Sequence, residues 1–96
     1  MLLLSVLSGG PGHGYSIITR LRDRSAGAFD LPEGTVYPAL HRLEQTGLLA
    51  SGWEVMAGRK RRIYRLTSAG QRSLADEASL WRAFSGSVSL VLGGST

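Results

Sequence analysis

Hydrophobic positions along the chain follow a helical period as far as Gly47, then an alternating one, then a helical one again. Met1-Leu2-Leu3-Leu4-Ser5-Val6-Leu7 is an apolar run closed by Gly9-Gly10-Pro11-Gly12, a sequence in which a helix cannot continue. It predicts a first helix over about residues 1–8. A second is predicted from about Gly14 to Ser25, with Tyr15, Ile17, Ile18 and Leu21 on one face and Arg20, Arg22, Asp23 and Arg24 mostly on the other. Ser25-Ala26-Gly27 ends it, and Phe29 and Leu31 are expected to plug the core from the loop that follows. The third helix is constrained by Pro38, which is tolerated only in a first turn, where amide protons have no intrahelical partner. Its start is therefore expected near Gly34 rather than at Pro32, and its end at Gly47. Val36, Leu40 and Leu43 form its apolar stripe. Thr35, Pro38, Arg42 and Gln45 lie opposite, with His41 beside them and Glu44 towards the flank.

Residues 48–56 and 61–66 change to a period of two. Leu49, Ser51, Trp53 and Val55 share one face of the first predicted strand, and Arg62, Tyr64 and Leu66 share one face of the second. Ala57-Gly58-Arg59-Lys60 is expected at the connecting tip. Thr67 then suits the N-cap of a last helix. In that helix Leu74, Trp81 and Val88 recur seven residues apart, with Phe84 and Val91 on the adjoining row. A small three-helix core does not need so long a seam, and heptad spacing suits packing against a partner helix. The alternative is that Trp81 and Phe84 fold back on their own domain. The order helix, helix, helix, two-stranded wing, helix predicts an α+β, mainly α fold: a winged helix-turn-helix with a C-terminal dimerisation helix. Residues 1–67 would form the DNA-binding domain, 68–92 the dimerisation helix and 93–96 a frayed tail.

At 96 residues with 43% hydrophobic content the chain is long enough for one small core and too apolar for disorder. The absence of cysteine excludes disulfides and thiolate zinc sites, and points to an intracellular protein. The apolar start lacks a basic flank and is far short of the roughly 20 residues that span a bilayer, so it is read as an amphipathic helix and no membrane partner is expected.

Charge sharpens this reading. Residues 1–52 carry four bases and four acids, so the whole net charge of +4 lies in residues 53–96. Five bases fall between Arg59 and Arg65, with no acid between Glu54 and Asp76. A focused patch of this kind suits a polyanion, and ten of the eleven bases are arginine, the residue fitted to bidentate phosphate and guanine contacts. A charged hairpin edge that resists aggregation is the plainer alternative. The leading hypothesis is sequence-specific binding of double-stranded DNA. Thr35, Tyr37, Pro38, His41 and Arg42 would lie on the recognition helix. Arg42 would be the base reader, because its fork can bind guanine O6 and N7. Arg59, Lys60, Arg61 and Arg62 would supply wing contacts to the backbone. Tyr15 could reach a phosphate or could be a core aromatic with an exposed tip. A winged helix used only for protein contacts is the alternative. No enzyme, cofactor or metal site is expected. His13 and His41 are a whole helix apart, acids are sparse, and Gly9-Gly10-Pro11-Gly12-His13-Gly14 lacks the Lys-Ser/Thr ending of a phosphate loop. His13 is expected to cap or pack in that turn.

Three ordered blocks carry a resemblance: Gly10-Pro11-Gly12-His13-Gly14-Tyr15, Gly34 through Glu44, and Gly58 through Thr67 with Gly70. Together, over about residues 2–85, they resemble the PadR family of transcriptional regulators, in its compact branch with a short C-terminal helix. The resemblance implies a cytoplasmic bacterial repressor that binds a palindromic operator as a homodimer. Helix 3 would enter the major groove, the wing would touch the backbone or minor groove, and the last helix would form much of the dimer interface. Leu74, Ala78, Trp81, Phe84 and Val88 would line that interface, and a planar aromatic effector could stack at Trp81. The chain departs from the family pattern by starting within the Leu-Leu run of helix 1 and by carrying Gly86 in the last helix.

Overall fold

The computed structural model describes residues 1–93, so the expected frayed tail falls, Gly93 apart, outside the described residues. The elements are α1 (Leu2–Ser8), β1 (Gly12–His13), α2 (Gly14–Arg24), α3 (Glu33–Gln45), β2 (Leu49–Met56), β3 (Arg59–Leu66) and α4 (Ser68–Val91). Helices α1, α2 and α3 enclose a core of Leu3, Leu4, Val6, Leu7, Ile17, Leu21, Val36 and Leu40, closed from the sheet side by Leu49 and Tyr64. Leu4, Ile17, Val36 and Leu40 are wholly excluded from solvent. The apolar periodicities of α1, α2 and α3 are thus the buried stripes, and their burial is the main force holding the body together.

The sheet has three strands rather than two. β1 pairs antiparallel with β3 through Gly12↔Tyr64 and His13↔Ile63, giving the order β1-β3-β2. This anchors the Gly-rich turn, and with it the start of α2, to the middle of the wing. The hairpin turn is also tighter than expected. Only Ala57 (φ 52°) and Gly58 (φ 76°) lie outside the strands, both in the left-handed region that two-residue hairpin turns of the primed type require. Arg59 and Lys60 therefore belong to β3, where they pair with Met56 and Val55.

Two other expectations are corrected. Helix α3 begins at Glu33 with Pro32 as its N-cap, its carbonyl accepting from the amides of Thr35 and Val36 at 3.0 and 3.1 Å. Pro38 is thus the sixth helical residue, in the second turn. The carbonyl it cannot serve belongs to Gly34, which is exposed, so water can take the missing donor's place. Phe29 does not plug the core. It is 42% exposed and edges a groove between α1 and α2, whereas Leu31 does pack against the core. Arg20, on the polar face of α2, is half-buried. Its guanidinium donates to the carbonyls of Val6 (2.7 Å), Gly10 (3.0 Å) and Pro11 (3.4 Å), satisfying groups left over at the end of α1.

Thr67 caps α4 as the sequence indicates. Its hydroxyl accepts from the Gly70 amide at 3.0 Å and donates to the Gly47 carbonyl at 2.7 Å. Gly70 is required by close approach, since a Cβ there would lie 2.1 Å from the Leu48 carbonyl oxygen. Leu74 packs on the core and Glu77 pairs with the N-terminal amine at 3.3 Å, and beyond Ala78 the large side chains of α4 are exposed. The molecule measures 55 × 28 × 21 Å, and its radius of gyration is 15.6 Å. A compact chain of this length would have about 12.5 Å. Among the described residues no helix is long and apolar enough to cross a membrane.

Candidate nucleic-acid interface

The surface of α3 opposite Val36 and Leu40 is formed by Gly34, Thr35, Pro38, His41, Arg42 and Gln45, all exposed. No acid lies on it. Its two edges differ. On one, Arg42 lines a groove of about 340 Å³ with Leu2, Leu3, Ala39 and Leu43, beside the start of α1. On the other, Tyr37 and Glu44 turn towards β1 and the wing. Tyr37 is half-buried rather than free. Its ring lies so close over Gly14 that a Cβ there would come within 2.4–2.6 Å of ring carbons and the hydroxyl. Glycine at position 14 thus lets α2 and α3 meet at the angle that exposes the outer surface of α3.

Glu44 explains why an acid can flank this surface without facing it. Its carboxylate accepts from the Ser51 hydroxyl and lies 3.5 Å from the Arg62 guanidinium. Arg62 Nε donates to Ser51 Oγ at 2.8 Å, and the guanidinium carbon sits 5.4 Å from the centroid of the Trp53 ring. The Ser51 hydrogen bond, helped by the Arg62 charge, holds the Glu44 carboxyl below the usual glutamate range. The cluster ties α3 to β2 and β3 and draws the acid off the outer surface. The two-residue hairpin turn sets the register that makes Trp53 and Arg62 cross-strand neighbours. Their link to Glu44 carries no local signal, because it joins residues far apart in the chain.

Of the wing bases, Arg59, Lys60 and Arg62 are exposed and Arg61 is half-buried. Arg61 lies opposite Glu54 across the hairpin and close enough to His13 to act on its charge. His13 caps α2, its Nδ1 accepting from the Ser16 amide at 3.2 Å. Burial first, and the Arg61 charge second, lower the His13 pKa, which favours the neutral ring that this cap needs. Tyr15, on the first turn of α2, is 61% exposed and does not share the buried stripe of Ile17 and Leu21.

Leu74 and Ala78 on α4 are half-buried. Trp81, Phe84 and Val88 are exposed, at 55%, 61% and 38%, and so do not fold back on the body. The rings of Trp81 and Phe84 pair at 5.9 Å between centroids and 36° between planes. Among the described residues no group of three or more His, Cys, Asp or Glu could hold a metal ion.

A three-helix body with a β-hairpin wing and a third helix whose outer side is free of acids is the arrangement of winged-helix regulators, and sequence comparison agrees. The model of the transcriptional regulator PadR-like family matches residues 3–76. The chain belongs to the PadR family. Members of this family are transcription regulators, not enzymes. A transcriptional regulator of Mycobacterium tuberculosis is 45% identical over 56 residues, a match that takes in 58% of this chain and 52% of the relative. The chain thus aligns with only about half the length of that curated relative. A crystal structure of a PadR family transcription regulator from Clostridium difficile superposes with a TM-score of 0.83 at 31% identity, covering 95% of this chain and 94% of that one. Bacillus subtilis PadR, crystallised in complex with operator DNA, shares the fold with a TM-score of 0.73 at 22% identity, covering 80% of this chain and 44% of that one.

Proposed function

We propose that this PadR-family chain is a sequence-specific DNA-binding regulator, acting in the cytoplasm as a homodimeric repressor of a palindromic operator. The observation that carries the reading is the outer surface of α3, free of acids because Glu44 is held aside by Ser51 and Arg62, next to a hairpin bearing Arg59, Lys60 and Arg61. Operator DNA in the crystals of the Bacillus subtilis relative supports it. Residues 1–67 would bind the duplex, with Thr35, Pro38, His41 and Arg42 on the major-groove side. Tyr37 would border the contact, Tyr15 would reach a phosphate, and Arg59, Lys60, Arg61 and Arg62 would form the wing's share. Residues 68–92 would join two copies through Leu74, Ala78, Trp81, Phe84 and Val88. The exposed Trp81–Phe84 pair is where a planar aromatic effector would stack and release the DNA.

Two recognition helices joined in this way would sit about 34–36 Å apart, one turn of duplex. A dimer neutralising roughly 6–10 phosphates would lose about 10³–10⁵-fold in affinity between 50 and 200 mM salt. The test is fluorescence anisotropy with DNA from upstream of the protein's own gene and with random duplex, at both salt concentrations. Arg42→Ala should cost about 1–3 kcal/mol of discrimination between the two. Unchanged preference would move the readout off Arg42, and no binding to any duplex at low salt would favour a protein partner instead.

A further inference from the structure

The four wing bases do not share one environment. In the β2–β3 register Lys60 and Arg62 lie opposite Val55 and Trp53, on the same side of the sheet as Ser51, while Arg59 and Arg61 lie on the other. Among the described residues Arg62 alone of the four has an acid within ion-pair distance, Glu44 of α3. It also engages two residues of β2. Nε donates to Ser51 Oγ, the Nη2 side reaches Glu44 Oε1, and the guanidinium carbon lies over the Trp53 ring, 5.4 Å from its centroid. The Nε–Nη2 edge is one of the two with which a guanidinium grips a phosphate, and here it is spent on the protein. Ser51 closes the ring by donating to the other Glu44 oxygen.

We propose that Arg62 is a positioning residue, clamped by Glu44, Ser51 and Trp53, that fixes the angle of the wing to α3 and is withheld from phosphate. The proposal rests on the DNA-binding reading and reassigns one residue within it. An exposed ion pair alone would hold little, but three partners from α3 and β2 fix both the position and the plane of the guanidinium. A planar fork over an indole is also something lysine cannot reproduce. The two roles for Arg62 predict opposite signs at Glu44. If Arg62 bound phosphate, removing Glu44 would free it, take an acid from the interface and strengthen binding. If Arg62 positions the wing, removing Glu44 unties the wing and weakens operator binding.

The experiment is anisotropy with the operator duplex and a random duplex across 50–200 mM salt. Lys60→Gln should lower the salt slope by about one, as loss of a phosphate contact does. Arg62→Gln and Arg62→Lys should both weaken operator binding several-fold and reduce its preference over random DNA, with the slope unchanged. Glu44→Ala should behave like them, and Glu44→Gln, which keeps a hydrogen-bonding oxygen, should recover part of the loss. Wild-type affinity in Arg62→Lys, a slope lowered by one in Arg62→Gln, or tighter binding by Glu44→Ala would each overturn the proposal. A DNA-free arm separates this from failure of DNA binding itself. With Trp81→Phe as background, Trp53 is the remaining indole, and its emission should change on Arg62→Gln. It should also change on acidification, at a pH below the usual glutamate range, and Glu44→Ala should abolish that transition. The groups facing Glu44 are Arg62 and Tyr64 of β3, Ser51 of β2 and His41 of α3. Trp53 emission that ignores Arg62→Gln would overturn the clamp, whatever the protein does with DNA.

Discussion

The body of the molecule and the distal half of α4 use their hydrophobic residues in opposite ways. Within α1 to β3 the large aliphatic side chains other than Val55 of the wing are turned inward, and Leu4, Ile17, Val36 and Leu40 meet no solvent. Beyond Ala78, Leu80 is 71% exposed, Trp81 55%, Phe84 61%, Leu90 74% and Val91 87%. Both regions have a regular helical period, so the pattern alone does not separate them. What separates them is the supply of surfaces. The body has three helices and a sheet to close on each other, whereas distal α4 has left its own domain behind. An isolated helix of a few turns is marginal in water, and Gly86 weakens this one further. The proposed dimer supplies the missing surface. Stability of the body is then a property of one chain, and order in distal α4 a property of two.

The largest effect should come from the body. Leu40→Ala empties a fully excluded site and should cost about 2–5 kcal/mol in denaturant unfolding, to a similar degree at every protein concentration. Next is the seam. Trp81→Ala and Phe84→Ala should each weaken self-association by about 2 kcal/mol, as central aromatic contacts do, measured by sedimentation equilibrium. Thermal unfolding of the double variant should lose its dependence on protein concentration. A comparable loss of stability in a chain that is monomeric to begin with would erase the contrast between the regions.

Both stripes were legible in the sequence, because each follows local spacing, whereas what covers each was left open. Val36, Leu40 and Leu43 mark the inner side of α3 whatever covers them, and seven-residue spacing marks Trp81 and Val88 as surplus to a small core. Thr67 was equally plain, since a hydroxyl before a helix caps it within three residues. What stayed hidden depends on pairing across the chain. β1 has only two residues, too few for any period, and is a strand solely because Gly12 and His13 meet Tyr64 and Ile63. The work of Arg20 was hidden too, because its place on the polar face says nothing of how far its side chain reaches to the carbonyls ending α1. Within the candidate interface, the acid-free side of α3 could be read by counting. The Glu44–Ser51–Arg62 link and the ring of Tyr37 over Gly14 could not, because each joins separate elements.

Thr67 roots α4 in the body at its first turn, ahead of the packing of Leu74 on the core. Thr67 Oγ1 donates to the Gly47 carbonyl at the end of α3 and accepts from the Gly70 amide at the start of α4. Thr67→Ala should cost about 1 kcal/mol, and Thr67→Ser should restore most of it. Hydrogen exchange should locate the loss in the first turn of α4 and leave the region around Phe84 unchanged. Faster exchange spreading to Phe84 would mean that the distal helix depends on its root rather than on a partner.

The smallest effect distinguishes the two caps by pH. Helix α4 is capped by a hydroxyl that does not titrate, α2 by His13 Nδ1, which accepts from the Ser16 amide only while the imidazole is neutral at that nitrogen. Burial and Arg61 lower the folded-state pKa of His13 below its unfolded value. A base depressed in this way stabilises the fold fully above its unfolded pKa, near 6.5, and the contribution is lost as pH falls through the folded value. Urea unfolding from about pH 8 down to about pH 5 should therefore show a decline, smaller than the loss in Thr67→Ala, that begins below the ordinary histidine pKa. His13→Asn keeps an N-cap acceptor without a titrating ring and should flatten that part of the profile. Amides at the start of α2 should carry the change and those at the start of α4 should not. If His13→Asn left the decline intact, the cap would not be its source, and the pH sensitivity of the body would have to lie in a group outside β1.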